Sequence, residues 1–583
     1  MANLDLEGVY ARDTAEKFTG MDRSRVAGTA DVAQDVCNFR ILEDGSLEKR
    51  EGYGKLSSLP EDIRGVWAGN IGGRETLLAA AGEHVYLVGQ DGQVLDVARV
   101  LVTLGTSEGI ANFFYAEGCV YMLDGNSIYC YDGVSMTESF GYAPLYGHSW
   151  HPLTGGVVNE PLNAFSRHVR IHYLMAVSST FLTLQLPFAS IDAVYHNGRE
   201  LNAEDYVLSE DGMTLTFNYS VASNLTLVVY GTLKSSVDTG AAVRSCSHAV
   251  TMGGEFDDRI FLYHGSQPAD IYVSLDVSAS ELADARKVWA GLKNVYFSQT
   301  EKLTVDDGNS EVTGLCRHYD RLLVFRRDGA CMANLAEGAD GSIYPAMPVN
   351  SSIGCASPAA LCQYGNDPIT VNDKGIYRWL QTTDERDECN AVRISDKVAA
   401  MLSRTFCRRV RSVGFQDRHE VWFYDPEDES GEILIFRPSQ SVWYRFSGIR
   451  MQGCFRYDGE VCFYFGPYMY RFSREYAWDE PHGEQREIDA HYEAVGLHLG
   501  LPWQIKRMGR CMVVHSGEGD YEVTVESDRG GRRTFGFSSD GVLPVQLAEN
   551  RMPVGRFVYA RCRVSAKGAG HQRVHGLTLT ADK

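Results

Sequence analysis

Few residues in this chain are spaced for chemistry. Gly105-Thr106-Ser107-Glu108-Gly109 carries the letters of a nucleophile elbow, in which a serine on a sharp strand-to-helix turn is presented for attack. The following residues, Ile110 to Tyr115, are strand formers, so a loop is expected there instead. His168 and His172, four apart, would share a face, yet zinc would also want a third ligand and a catalytic glutamate nearby. Packing or exposed histidines are expected. Two acidic turns, Asp306–Glu311 and Asp425–Glu432, offer oxygen ligands for calcium, but neither has the twelve-residue pattern of an EF-hand, and solvated hairpin tips are expected. Carboxylates for glycoside hydrolysis would have to be gathered from distant strands, and no pair stands out. Arg404 to Arg411, with Arg408 and Arg409 between, is the one concentrated positive patch. It suits DNA or an acidic neighbouring subunit, or else a charged strand edge that discourages stray pairing, which is the expectation. No catalytic, cofactor-binding or metal-ligating residue is assigned, no cofactor is expected, and the chain is not expected to be an enzyme.

The elements that would position such residues are strands. The chain has 583 residues, 44% apolar and 22% charged, with a formal net charge of -21. That length suggests about three to five domains, and the composition is that of a globular protein rather than a disordered, collagen-like or coiled-coil one. The acidic balance argues against gripping nucleic acid, because phosphate binding depends on clustered Lys and Arg, but it suits a wall that DNA slides past. No apolar run approaches the ~20 residues needed to span a bilayer, so membrane insertion is not expected. The N-terminal segment lacks the basic and apolar regions of a secretory signal. Fourteen cysteines are scattered singly without C-x-x-C pairs, as expected of buried free thiols in a reducing cytoplasm.

Short runs of β-formers alternate with Asp-Gly and Asn-Gly turns, the strongest local hairpin signal. One hairpin runs from Cys119 to Leu123, turns at Asp124-Gly125-Asn126, and returns from Ser127 to Tyr131. Another turns at Asp328-Gly329. Helical periodicity is confined to Ser280–Leu292 and Ile394–Leu402, the second with Ser395 as its cap. So few helices cannot cover a parallel sheet, which excludes a doubly wound fold.

Strand groups return roughly every 30–45 residues, the spacing of four-stranded propeller blades. The expected fold is all-β: a β-propeller of roughly six to eight degenerate blades with two appended β-sandwiches and few short helices. Its expected parts are N-terminal blades over 1–140, an inserted sandwich over 141–235, further blades over 236–483 and a C-terminal sandwich over 484–583.

Several of these elements, taken in order, resemble the β-propeller proteins of bacteriophage tails known as tail nozzle or stabilisation proteins. They are Asp257–Gly265 with Ile271–Ser274, Val312–Leu315 with Tyr319–Phe325, Gly354–Pro358 with Asp373–Tyr377, and Glu420–Tyr424 with Ile433–Phe436 and Ser441–Phe446. Asn38–Leu42 with Gly45–Tyr53 looks like the family's opening blade, and Tyr195–Leu201 with Asp205-Tyr206 like a small module frequent in phage structural proteins. Glu51 stands where the family often has proline. Gly375 suits a tight turn, and Trp443 and Tyr444 supply buried area.

The resemblance implies a structural virion protein, made in the bacterial host cytoplasm and located in the tail. It implies a symmetric ring, a homo-oligomer of about six copies, around double-stranded DNA that passes through without sequence-specific binding. Adjacent tail or adaptor proteins would be its other partners. The rival is a host-glycan-binding or glycan-degrading adhesin on the same propeller, using Tyr142, Tyr146, Trp150 and His151 to stack on sugar rings.

Overall fold

The computed structural model describes residues 10–89, 98–138, 141–147, 159–175, 177–252, 259–265, 269–305, 311–319, 321–334, 347–380, 390–568 and 570–582. The fold is all-β, with a few short helices between strands.

Its body consists of seven antiparallel four-strand meanders, six of them separate sheets and one, over residues 411–446, part of an eleven-stranded sheet. Six are built within single stretches: 63–103, 112–137, 248–304, 314–350, 361–393 and 411–446. The seventh takes three strands from 453–473 and its fourth from Gly52–Ser58, near the other end of the chain. Opening strands lie near the next sheet in sequence from 63–103 through 411–446, Arg411 of that sheet donates to the carbonyl of Gln452, and Gly453–Tyr457 of the last packs on Ile63–Ile71 of the first. The succession therefore closes on itself. Close approach demands small residues there: a Cβ on Gly65 would lie 1.9 Å from the carbonyl oxygen of Ala111, and one on Gly414 2.4 Å from that of Gln363.

Turn chemistry makes the hairpins. Asp124 Oδ1 accepts from the backbone N–H groups of Asn126 (2.9 Å) and Ser127 (2.7 Å), while Gly125 adopts φ +80°. The Asp328-Gly329 hairpin pairs Arg321–Arg326 with Gly329–Asn334. Gly375 sits at φ +142°, where a Cβ would meet Ser395 Oγ at 2.7 Å. Trp443 and Tyr444 are fully buried.

Residues 168–233 form two further sheets, one of four strands and one of three, packed about Ile171, Phe188, Leu215, Phe217 and Val229. Asn197, at φ +49°, and Gly198 turn between Phe188–His196 and Arg199–Glu200. A second pair of sheets holds the C-terminal strands, and here the N-terminal boundary drawn from sequence needs correction. Residues 11–49 are not blade strands. Ala11–Ala15 pairs with Arg573–Asp582, Leu47–Lys49 continues that sheet, and Ala33–Cys37 lies beside Ala490–Ala494. Ala33–Cys37 also meets Val442–Phe446, so the sheet of residues 411–446 runs on into the C-terminal module.

Both expected helices are altered. The first is an α-helix over Ala279–Arg286 only, capped by Ser278, whose side chain accepts from the N–H of Glu281. The second is a 3-10 helix over Asp396–Met401. Ser395 does not cap it, because its hydroxyl accepts from the N–H of Ile376 at 3.1 Å. The true cap is Ser403, which accepts from Phe406 N–H at 3.0 Å and starts an α-helix over Arg404–Arg409. The basic run is therefore a helix rather than a strand edge.

Candidate functional site

Most residues singled out for chemistry are engaged in structural contacts. Ser107 lies in a loop before the strand Asn112–Ala116. His168 and His172 are on the strand His168–Leu174. His168 Nδ1 lies 3.0 Å from Thr232 Oγ1 and its ring stacks on Trp289 at 4.5 Å. Burial pulls both imidazoles below the usual histidine range, favouring their neutral forms. Among the described residues, no group of three or more His, Cys, Asp or Glu is placed to hold a metal. The Asp306–Glu311 turn lies outside the described residues except Glu311. Among the described residues thirteen cysteines are free thiols, and all but the half-buried Cys362 and Cys454 are buried.

Of the aromatics expected to stack on sugars, Tyr142 is not presented to solvent. Tyr142 is buried, its hydroxyl donating to Glu160 Oε2 at 3.0 Å and accepting from Arg170 Nη2 at 2.6 Å. Arg170 is itself fully buried and reaches Glu281 and Asp284, both at 2.8 Å. These contacts fix the inserted sheets to the helix Ala279–Arg286. Tyr146 packs against the inserted core, while Trp150 and His151 lie outside the described residues.

The structure does bring two sequence candidates together. The helix Arg404–Arg409 and the acidic turn Asp425–Glu432 face each other across a cavity of about 440 Å³. Arg409 pairs with Glu427 at 2.8 Å, and Arg445 with Glu432 at 2.6 Å. Partial burial would raise the Asp428 carboxyl, but hydrogen bonds from Ser430 Oγ and the N–H of Glu432 outweigh it and hold the group below the usual carboxylate range. Five carboxylates, those of Asp425, Glu427, Asp428, Glu429 and Glu432, line the cavity against two guanidinium groups, those of Arg409 and Arg445.

Two features stand out from this background. One is a buried ionic seam between the N-terminal strands, the 411–446 sheet and the C-terminal module. Arg50 donates to both carboxylate oxygens of Asp479, at 2.8 and 2.6 Å, and to Asn38 Oδ1 at 2.9 Å. Arg40 bridges Glu51 and Glu420, and Glu51 also takes Arg418. Glu420 accepts from Trp422 Nε1 at 2.8 Å and from Tyr444 Oη at 2.7 Å. Asp35 is held by Arg445 (2.8 Å), Arg23 (3.0 Å) and His491 (3.0 Å). Burial alone would raise Asp35 and Glu51, yet the arginines around them hold both well below the usual carboxylate range. Sequence reasoning passed over Glu51, although its departure from proline, within a strongly charged run of 48–51, was the available signal.

The other feature is an exposed corner of the C-terminal module. Between Arg532–Asp540 and Gln546–Arg551 the chain crosses from one sheet to the other, and Val542, Leu543, Val545 and Leu547 are more than half exposed.

No family model matches the chain. No curated protein matches it. Solved structures with partial likeness include the AfRom2 CNH domain, with TM-score 0.35 and 6% identity over 72% of this chain and 99% of that one. Another is the extracellular domain of a candidate one-component system from B. thetaiotaomicron, with TM-score 0.25 and 7% identity, covering 89% of this chain and 78% of that one. TmCBM61 in complex with β-1,4-galactotriose gives TM-score 0.12 and 17% identity over 21% of this chain and 70% of that one. At these scores none bears on function.

Proposed function

We propose that the seven sheets are the blades of a β-propeller and that the chain is a structural subunit of a bacteriophage tail. In this reading it is made in the host cytoplasm and assembles in the virion into a ring, a homo-oligomer of about six copies, as multi-copy closed assemblies do. The ring surrounds the path of double-stranded DNA, contacts adjacent tail or adaptor proteins, and works as a building part without a reactive centre. A negative wall beside passing DNA avoids adhesion, which suits the net charge of -21.

The observation that carries this reading is the succession of seven four-strand meanders, the last completed by Gly52–Ser58. Radial repetition of this kind leaves only short strand edges, and the ionic seam pairs the residues next to the closing segment, Arg50 with Asp479 and Arg40 with Glu420. A rigid part of this kind transmits force without yielding. The family elements read in the sequence supply the phage assignment.

A genetic test is direct. Host cells infected with phage whose copy of this gene carries an early stop codon are expected to yield particles with incomplete tails that lose their DNA. Infectious particles of normal tail length at normal yield would defeat the proposal.

A further inference from the structure

We propose that Trp503, with the arginines beside it, docks in a second copy of this chain, in that copy's cavity between the helix Arg404–Arg409 and the turn Asp425–Glu432. Trp503 is 82% exposed and sits at φ +66°, in the left-handed region that a bulky residue rarely adopts. Its ring meets Tyr559 edge-on at 6.1 Å, and the nearby Ile505 is 55% exposed. On the strand Lys506–Ser516 that follows, Arg507 lies directly opposite Arg556 and Arg510 directly opposite Arg551. Like charges so placed repel each other. Glu549 pairs with Arg510 at 2.6 Å, and Asp582 lies opposite Arg507 on its other side. Among the described residues Arg507, Arg551 and Arg556 have no ion pair, and all three are exposed. An exposed tryptophan among arginines has the composition of a binding hot spot.

Shape and charge select the occupant. The cavity, of about 440 Å³, is roomy enough for an indole, and Met401 and Phe406 give it an apolar wall. Arg409 and Arg445 take up Glu427 and Glu432, which leaves Asp425, Asp428 and Glu429 without an ion pair among the described residues. An apolar knob with a basic surround thus matches an apolar hollow with an acidic one, the arrangement of a desolvated centre and a charged rim. The two do not meet within one chain. By register, Ile433 at the end of the acidic turn lies opposite Phe446, Arg445 beside Cys37, Cys37 opposite His491 and His491 opposite Ser565. Tyr559, against which Trp503 rests, lies just beyond the other end of the strand that holds Ser565, Ala560–Lys567. The surfaces are therefore separated by roughly 20 Å along the strands and roughly 20 Å across them. A contact between such unlike surfaces runs head to tail from copy to copy and closes as a ring where the rotation permits. This names the contact for the ring role proposed above and rests on that reading only in needing a second copy.

Sedimentation velocity of the purified full chain over a concentration series, at low and high salt, tests it. Wild type is expected to associate at low salt and to weaken as salt screens the charges. Trp503→Ala is expected to weaken association about tenfold or more. Arg507→Glu with Arg556→Glu, and separately Glu427→Arg with Glu429→Arg, should each weaken it mainly at low salt. The chain carrying all four reversals keeps the wild-type net charge of -21 and is expected to regain association. Val207→Asp, an exposed apolar site on the inserted sheets, is the control and should associate as wild type does. If Trp503→Ala associates like wild type, or the fourfold chain fails to regain association, this pairing of surfaces is overturned while the ring role stands. A wild-type chain that remains single throughout overturns both. A circular dichroism melt of each variant confirms that the exposed substitutions leave the fold intact.

Discussion

The ionic seam, which joins N-terminal residues to the 411–446 sheet and the C-terminal module, and the exposed corner of that module are built oppositely. At the seam, arginines and carboxylates are nearly fully enclosed, and each is matched: Arg50 with Asp479, Arg40 and Arg418 with Glu51, and Arg445 with Asp35. At the corner, Val542, Leu543 and Val545 face solvent. The seam's charges are matched within one chain, whereas the corner's aliphatic side chains meet solvent. Buried ion pairs contribute little net stability compared with apolar packing, but they strongly penalise a wrong or missing partner. The seam therefore specifies which strands meet.

Substitutions can separate the two regions. Asp479→Ala leaves the Arg50 guanidinium buried without its carboxylate and is expected to cost about 3–5 kcal/mol in chemical denaturation. A loss below ~1 kcal/mol would mean that the seam is hydrated and does not hold the closing segment. Gly65→Ala tests closure away from the seam. Its Cβ would strike the backbone carbonyl of Ala111, which cannot swing aside as a side chain can, and a loss of about 1–3 kcal/mol is expected.

Acid should act on the seam and spare the corner. Asp35 and Glu51 are held below their usual range when folded, so they bind fewer protons folded than unfolded. Their stabilisation is full above the unfolded carboxylate range near ~pH 4 and is lost as pH falls below it. Thermal midpoints should drop on acidification, with a shallower drop in Asp35→Asn; an equal slope in both proteins would remove Asp35 from the acid response. The smallest effect belongs to the corner: Leu543→Asp with Val545→Asp should shift stability by no more than ~0.5 kcal/mol. A large loss of stability would mean that the corner is part of the core.

Local features were legible in the sequence, and long-range ones were not. The Asp124-Gly125 and Asp328-Gly329 hairpins, the turn at Gly375 and the burial of Trp443 follow from residue type and nearest neighbours. The N-terminal strands were misplaced because Ala11–Ala15 pairs with residues near 580, and a strand's own pattern does not say which edge it will join. Ser395 and Ser403 both precede helical turns, and only a contact with Ile376 from another strand decides that Ser395 is occupied elsewhere. Tyr142 reads as a loop aromatic until Arg170 and Glu160 are brought around its hydroxyl. The exposed corner was invisible for the opposite reason: Val542, Leu543 and Val545 look like core until the sheets they join are seen to end there.

Negative-stain electron microscopy of the purified full chain at low salt reads the assembly itself. Closed rings of several 64.7 kDa copies around a central opening are expected, opening or dispersing in Trp503→Ala. Single particles of one chain at every concentration and salt would rule out a self-assembling ring subunit.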